Sequence, residues 1–182
     1  KLVKSMVRDL PAVTMDRLTT EGTVLKKCED NGDSIVVDEG ILEISPENMT
    51  ARVQPGVIVG ELQRAVEKLG LYYPPDPSNL NISTIGGSIA QNSAGARCFK
   101  YGATKDYVID MLVVMANGEL IRTGSNTIKN ATGYNLGSLF IGSEGTLGIV
   151  VEATVKLITK PQSSQVIMAY FDQVEDSITT VN

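Results

Sequence analysis

The distribution of glycine constrains the fold of this 182-residue chain more than any other sequence feature. Seventeen glycines are present, and many lie in three clusters: Gly86-Gly87, Gly95 to Gly102, and Gly142 to Gly148. Glycine in a loop or at a helix start lets the backbone approach a ligand closely. Taken singly, each cluster is as consistent with tight packing as with binding. The three together, with an extended proline loop before the first, favour a binding site built from backbone.

The segment Ser83–Ser88 has the form of a phosphate-binding helix start, with a hydroxyl pair followed by two glycines. A helix N-terminus presents unpaired N–H groups and a partial positive charge, which suits a pyrophosphate. The G-x-G-x-x-G pattern of Rossmann domains is absent, and Gly142–Gly148 has a different spacing. The P-loop pattern that ends in Gly-Lys-Ser/Thr is absent too. The sequence therefore disfavours the two commonest nucleotide-binding folds.

Composition restricts the partners. The net charge is −5 and the sequence pI is about 4.8, whereas phosphate-backbone binding requires clustered Lys and Arg, so we expect no nucleic acid partner. No apolar run approaches the roughly 20 residues of a spanning helix, so we expect no transmembrane segment. Two cysteines in a chain of this size favour a cytoplasmic location, and peripheral membrane association stays open.

The chain contains no histidine. This removes a Ser-His-Asp triad, the commonest general base and the commonest zinc ligand. We therefore expect no metal site, and any chemistry must come from a bound group or from residues outside the chain.

Local patterns in the first third predict a short strand followed by a helix within Pro11–Gly32. The inner face of that helix would carry Val24, Leu25 and Cys28. The other expected strands are Ser34–Val37 and Met49–Gln54, the second closed by the Pro55-Gly56 turn. Together these elements predict a small layer of βαβ type.

Later segments carry clearer signals. Val59–Leu69 is predicted to be a helix, with Leu62, Ala65, Val66 and Leu69 on its inner face and Gly70 as its C-terminal stop. We expect an extended loop at Tyr72–Asn81 and a short helix at Thr84–Asn92. We expect a hairpin of the strands Tyr107–Ala116 and Glu119–Thr123, joined at Asn117-Gly118. We also expect a strand at Val151–Leu157 whose side chains alternate, inward at Val151, Ala153, Val155 and Leu157 and outward at Glu152, Thr154 and Lys156. The predicted fold class is α+β, with a larger, mainly antiparallel sheet that carries helices.

Two long runs carry a specific resemblance. PPDPSNLNISTIGGSIAQNSAGARCFKYGATKDYV, which begins at Pro74, and GYNLGSLFIGSEGTLGIV, which begins at Gly133, resemble the FAD-linked oxidase family of the vanillyl-alcohol-oxidase type. Within that family the motifs are most similar to those of glycolate oxidase FAD subunits and D-lactate dehydrogenases. The likeness extends over nearly everything from Val53 to Pro161. It implies a two-subdomain FAD-binding fold and FAD as the cofactor.

The resemblance also implies roles for individual residues. The loop of Pro75, Asp76, Pro77 and Ser78 would lie beside the flavin. Four residues would surround the pyrophosphate through backbone contacts, namely Thr84, Ile85, Gly86 and Gly87. The adjoining wall would consist of Ala90, Asn92, Ser93, Ala94 and Gly95, with Tyr101 and Gly102 closing the turn behind it. The adenosine half would contact Glu144, Gly145, Gly148, Ile149 and Val150. Arg97, Lys100 and Lys105 lie near this site in sequence, and a solvated surface position is the better-supported interpretation for them.

The same resemblance predicts domain limits and exposes a departure. Residues 1–56 would form a first FAD-binding subdomain, 57–161 a second, and 162–182 the start of a substrate-covering domain, with a strand at Ser164–Asp172. The family's first pyrophosphate loop, of the type Pro-Arg-Gly-x-Gly-Thr, is absent where Cys28–Gly32 runs into Asp33. Either residues are missing from the sequence between Gly32 and Asp33, or the loop is deleted and FAD affinity is impaired. An ordinary peptide link there would exclude the first explanation.

The implied activity is oxidation of a small 2-hydroxy acid, glycolate or a D-form acid, by hydride transfer to the flavin. Electrons would then pass to an acceptor protein or a quinone. Without histidine, covalent attachment through that residue is impossible, so we expect non-covalent FAD. The catalytic residues would lie outside this chain, which alone would be inactive. Two alternatives stay open, a non-catalytic or electron-transfer module and a different flavin oxidase, acting on alditols or aryl alcohols, on the same fold.

Overall fold

The computed structural model describes residues 40–125, 127 and 133–180 in full, and the backbone alone of 25–27, 35–37 and 181. The junction between Gly32 and Asp33 lies outside the described residues, as do Cys28 and most of Pro11–Gly32.

A five-stranded sheet forms the centre of the molecule, and every pair of neighbouring strands in it is antiparallel. Its strands are β3 Ile41–Ser45, β4 Thr50–Val53, β6 Val108–Met115, β7 Leu120–Arg122 and β8 Gly148–Lys156. Their order across the sheet is β3-β4-β8-β6-β7, so the longest strand, β8, lies in the middle. The predicted α+β class with a mainly antiparallel sheet is confirmed.

Two small sheets accompany it. β1 Leu25–Lys27 pairs with β2 Ile35–Val37, antiparallel, and β5 Leu71–Tyr72 pairs with β9 Ile158–Thr159 in the same way. The predicted helix through Leu25 is therefore wrong, because pairing with the β-branched run at Ile35–Val37 places this residue in a strand. The first strand predicted for the βαβ layer lies outside the described residues, so that layer stays a prediction.

Five helices complete the described part, namely α1 Val59–Glu67, α2 Ile85–Gln91, α3 Cys98–Tyr101, α4 Gly137–Phe140 and α5 Val174–Val181, with a 3₁₀ turn at Thr104–Asp106. α1 buries Val59, Leu62 and Val66 against the sheet. It ends before the predicted Leu69, which is exposed, although Gly70 adopts the expected positive φ of 73°. The α1 prediction is therefore correct in type and two residues too long.

The hydrophobic core lies between the helices and one face of the large sheet. The members from the sheet are Ala51, Val53, Met111, Val113, Ala153 and Val155, and α2 adds Ile85 and Ile89. The β6–β7 hairpin turns at Asn117-Gly118 as predicted, with a φ of 84° at Gly118. This core holds α2 and its flanking loops at one side of the sheet.

The alternation predicted for β8 holds on one face only. Val151, Ala153 and Val155 are fully buried as expected. Glu152 and Thr154 were expected outward, yet both are also buried. Glu152 accepts hydrogen bonds from Arg52 at 3.3 Å and from Arg122 at 3.1 Å, so arginines from β4 and β7 cover this face of the central strand.

Residues 161–173 leave the folded body. Val166, Ile167, Met168 and Tyr170 are all more than 70% exposed, and the predicted strand at Ser164–Asp172 is absent from this structure. A strand needs a hydrogen-bonded neighbour, and none of the described residues provides one here. The assignment of 162–182 to a further domain stays a prediction.

Candidate functional site

The proline loop is fixed from beneath by α1. Gln63 is buried, and its side-chain amide donates to the carbonyl oxygens of Tyr73 and Pro75, both at 3.0 Å. Prolines cannot donate backbone hydrogen bonds, so the loop cannot pair with a strand in the regular way. The Gln63 side chain supplies hydrogen bonds to the loop instead. Pro75 is buried, Asp76 is half-buried and Ser78 is exposed in the turn that follows.

The N-terminus of α2 docks on the turn after β4. Gly86 donates its amide to the Pro55 carbonyl at 2.8 Å, and a Cβ at Gly86 would lie 2.6 Å from the Cβ of Pro55. Ile85 donates to the carbonyl of Val57 at 2.8 Å. Gly87 donates to the hydroxyl of Thr84, the N-cap residue, at 3.0 Å. The expectation that these amides are unpaired is therefore wrong, because acceptors within the chain already occupy them.

The C-terminus of α2 meets the third glycine cluster. Gly142 donates its amide to the carbonyl of Ile89, and Glu144 donates to that of Ala90, both at 2.9 Å. Asn92 caps the helix in the left-handed region, with a φ of 48°, and Glu144 has a φ of 53°. These bonds bring two of the predicted segments, 84–95 and 142–145, into direct contact.

The second glycine cluster packs on the proline loop. A Cβ at Gly95 would lie 1.6 Å from the Asp76 carbonyl oxygen, so only glycine permits this contact between the two backbones. On the other side, Ser93 donates its amide to the Ser88 carbonyl at 2.9 Å and accepts from the Thr104 hydroxyl at 2.8 Å. The proline loop, α2 and residues 93–95 therefore form one continuous cradle.

Unpaired amides lie at the C-terminal side of α2. Within the described part of the chain, the amides of Ala94, Gly95 and Ala96 donate to no carbonyl or side-chain oxygen. Ala94 and Ala96 are exposed, and Gly95 is half-buried. Consecutive free N–H groups suit the oxygens of an anion. The sequence placed the phosphate contacts at the start of α2, whereas the structure has its open donors beyond the helix's end.

Arg97 holds the cradle's outer edge. Its guanidinium donates to the Tyr72 hydroxyl through Nη1 and pairs with Asp76, Nε to Oδ2, at 3.3 Å. The hydrogen bond to Tyr72 raises the pKa of Arg97 above its ordinary value. Arg97 lies at the surface as expected, yet its guanidinium is held by two partners. Sequence spacing could not reveal this, since Arg97 and Tyr72 are 25 positions apart.

Tyr101 and Gly102 form the turn at the end of α3. The Tyr101 ring packs edge-on against Tyr72, with ring centroids 6.2 Å apart, and the Tyr101 carbonyl accepts from the Tyr107 hydroxyl at 2.6 Å. Gly102 has a φ of 89°, and a Cβ there would lie 2.4 Å from a carboxylate oxygen of Asp106. This turn is a tightly packed support for the residues in front of it.

The predicted adenosine contacts divide between two elements. Glu144 is exposed and Gly145 half-buried in the turn that touches α2. Gly148, Ile149 and Val150 instead form the start of β8 and pair there with β6. A Cβ at Gly148 would lie 2.6 Å from the Val113 side chain. Packing within the sheet is therefore sufficient to explain this glycine.

A separate cleft of ≈ 220 Å³ lies beside the cradle, and none of the predicted cofactor residues line it. Its polar lining includes Lys105, Asp110, Thr123, Asn135 and Ser138. Lys105 connects it to the cradle, because its amide donates to the Asn92 side-chain oxygen at 3.0 Å. Asp110 is already committed to Arg122 and to the Gly124 amide.

The cradle fits an elongated, anionic dinucleotide. It offers the open amides of residues 94–96 directly beside the buried prolines of the loop, and exposed glycines at 87 and 142 along α2 and the turn that contacts it. At both positions no backbone atom lies close to where a Cβ would be. Any other residue there would place its side chain in that space. Among the described residues there is no cluster of three or more Cys, Asp and Glu residues that could hold a metal.

These features define a cofactor-binding domain of α+β class whose site is made largely of backbone. The match to a family model makes the class specific: residues 19–124 match the model described as FAD binding domain. The chain belongs to this family, and FAD is its cofactor, as the motifs predicted.

Curated relatives match most of the chain. It is 56% identical over 142 residues to glycolate oxidase subunit GlcD of Bacillus subtilis, a match that covers 78% of this chain and 30% of that protein. It is 44% identical over 141 residues to D-lactate dehydrogenase of Anaerostipes hadrus, with the same coverage. It is 48% identical over 121 residues to D-2-hydroxyglutarate dehydrogenase of Stutzerimonas stutzeri, covering 66% of this chain and 26% of the relative. The chain thus spans less than a third of each relative's length.

A solved structure supports the same fold. The structure of alkyldihydroxyacetonephosphate synthase matches with a TM-score of 0.59 and 32% sequence identity, over 69% of this chain and 22% of the synthase chain. In the described part of our structure, every helix is too short or too polar to cross a membrane.

Proposed function

We propose that this chain is the FAD-binding portion of a flavin-dependent 2-hydroxy-acid dehydrogenase. The observation that carries the proposal is the 56% identity to a glycolate oxidase subunit, with two further relatives named for the oxidation of D-2-hydroxy acids. The chain spans 26–30% of these relatives. The groups that bind the substrate and remove its hydroxyl proton therefore belong to other parts of the protein in this proposal.

Bound FAD would supply the hydride acceptor for the reaction. The chain's own residues would bind and orient it. The proline loop with Pro75 and Asp76 would form the wall beside the flavin ring, and the open amides of residues 94–96 would bind the phosphates. Thr84, Gly86 and Gly87 would bring the helix close to the cofactor, and residues 144–150 would contact the adenosine half.

The cofactor would be held without a covalent bond. Histidine, a residue through which a flavin can be attached, is absent from the chain. Acid treatment of the FAD-loaded protein should release all flavin into the supernatant. Flavin that stays on the precipitated polypeptide would exclude this part of the proposal.

The substrate would be glycolate or a D-2-hydroxy acid, and the reduced flavin would pass its electrons to an acceptor protein or a quinone. We place the protein in the cytoplasm, in line with its few cysteines. A graft tests the role of the chain directly. The matching segment of the Bacillus subtilis GlcD subunit is replaced by this chain's residues, and the visible flavin band is recorded anaerobically as glycolate or D-lactate is added.

The proposal predicts that the graft binds FAD and that its flavin band bleaches with a 2-hydroxy acid. The FAD-loaded chain alone should be reduced by dithionite and left unchanged by the same acids. A graft that binds FAD and is bleached by none of the acids would remove the hydroxy-acid assignment and leave the FAD-binding role intact.

A further inference from the structure

Arg97 makes three different contacts with the strand and loop that precede the cradle. It donates to the Tyr72 hydroxyl, pairs with the Asp76 carboxylate at 3.3 Å, and lies with its guanidinium carbon 5.8 Å from the centroid of the Tyr72 ring. Tyr72 is buried in β5, so its position is set by the core. Arg97 therefore connects a rigid element to a loop that lacks ladder hydrogen bonds.

The residues just before Arg97 carry the open amides. Gly95 abuts the Asp76 carbonyl oxygen, and the open amides belong to this residue and its two neighbours, Ala94 and Ala96. The backbone contact at Gly95 and the ion pair at Arg97 thus fasten residues 94–97 to the proline loop at two points. A change in one point would rotate the amides relative to the loop.

Stability alone does not account for this arrangement. The Arg97 side chain is 54% exposed and that of Asp76 is 23% exposed. An exposed pair of this kind contributes at most about 1 kcal/mol to folding. The planar fork of arginine can bind a hydroxyl and a carboxylate at the same time in a fixed geometry, which the ammonium of lysine cannot do. Orientation of the loop is the property that requires arginine here.

We propose that Arg97 is a positioning residue of the FAD site, acting through Asp76 and Tyr72. This rests on the proposed function, since it presumes that the cradle binds FAD. In this view Arg97 aligns the phosphate-binding amides of residues 94–96 with the proline wall, and cofactor affinity depends on the alignment.

The test compares Arg97→Ala and Arg97→Lys in the purified chain. Each variant is titrated with FAD by flavin fluorescence, and its thermal midpoint without FAD is measured separately. Arg52 provides a matched control, because it is a half-exposed arginine that pairs with Glu43 and Glu152 on the large sheet. Arg52→Ala and Arg52→Lys should leave FAD affinity unchanged.

We expect Arg97→Ala to raise the Kd for FAD about tenfold or more, because misplaced positioning groups cost at least that much. Arg97→Lys should recover little of the affinity, and the fine structure of the bound flavin's absorption band should change in both variants. If Arg97→Ala proves unfolded, Arg97→Lys and the nearly isosteric Asp76→Asn supply the comparison.

Two results would overturn the inference, and they are distinguishable. A wild-type chain that binds FAD, with Arg97 variants that lose thermal stability yet keep the Kd and the flavin spectrum, gives Arg97 a purely structural role. A folded wild-type chain that binds no FAD defeats the proposed function and this inference together.

Discussion

Tyr73 lies wholly inside the core, and its hydroxyl oxygen finds no hydrogen-bond partner among the described residues. Burial raises the pKa of Tyr73 above its ordinary value of 10.0. The folded state therefore holds this proton where the unfolded state would release it. The protein therefore loses stability as the pH rises above 10, because the unfolded state releases this proton and the folded state does not.

Tyr73→Phe should raise the free energy of unfolding by about 1 kcal/mol at neutral pH, because it removes an unpaired buried polar group. The variant should also lose less stability than the wild type above pH 10. Urea unfolding at neutral and alkaline pH measures both effects. Tyr107→Phe is the control, since it deletes a 2.6 Å hydrogen bond to the Tyr101 carbonyl and should destabilise by about 1 kcal/mol. Equal losses in the two variants would show that the Tyr73 hydroxyl has a partner.

Glycines at the cradle should divide into two kinds. At Gly95 a methyl group would meet the Asp76 carbonyl at 1.6 Å, whereas at Gly87 it would meet only the Thr84 hydroxyl at 3.1 Å. Gly95→Ala should therefore destabilise the fold by about 3 kcal/mol. Gly87→Ala should fold normally and lower FAD affinity, because the methyl group would project into the cradle. Thermal unfolding and FAD titration separate the two effects, and a Gly95→Ala variant of wild-type stability would contradict the packing described here.

At the level of elements, a row of alternating charges crosses the outer face of the large sheet. Glu43 pairs with Arg52 at 3.6 Å, Arg52 with Glu152 at 3.3 Å, and Arg122 with both Glu152 and the buried Asp110. Burial lowers the pKa of Arg122, yet the hydrogen bonds to Asp110 and Glu152 outweigh it, so the pKa lies above its ordinary value. The row neutralises carboxylates that the sheet buries.

Arg122→Ala should cost about 2 kcal/mol, because Asp110 is 1% exposed and would lose its cation. Arg52→Ala should cost less than about 1 kcal/mol, since Glu152 keeps Arg122 and Glu43 is exposed. Urea denaturation measures both. If the two substitutions cost the same, the partners of Arg122 do not depend on it.

The elements that sequence could predict are those with a local cause. Gly70 and Asn117-Gly118 fix their own backbone turns, and α2 begins at a capping threonine, so α1, α2 and the β6–β7 hairpin were predicted correctly. The helix predicted through Leu25 was wrong because the strand at Leu25–Lys27 is stabilised by pairing with another strand, Ile35–Val37. The outward position predicted for Glu152 was wrong for a similar reason, since the arginines that cover it lie 30 and 100 residues away in the sequence.

For the whole molecule, the sequence motifs predicted the FAD-binding family correctly, because long motifs in a fixed order are shared by proteins with the same fold and the same cofactor. They could not give the hydrogen-bond partners inside the site. The amide of Gly86 at the start of α2 donates to the carbonyl of Pro55, in the turn after β4. The guanidinium of Arg97 donates to the hydroxyl of Tyr72, in β5. Assignments of single residues to parts of FAD therefore stay predictions.

The segment 161–173 contributes no side chain to the core and exposes several large apolar residues in a row. Exposed apolar segments of this kind promote association. Removal of residues 162–182 should leave the thermal midpoint unchanged and reduce self-association, as measured by calorimetry and light scattering. A midpoint lowered by several degrees would show that the segment packs on the body.

The central claim is that the proline loop, α2 with residues 92–96, and residues 142–150 form one surface that binds FAD. Hydrogen–deuterium exchange of the purified chain, with and without FAD, measures this most directly. We predict slower exchange in all three segments when FAD is added, with the largest change at the amides of 94–96, and no change at 161–173. Protection confined to one of the segments, or located elsewhere, would contradict the account.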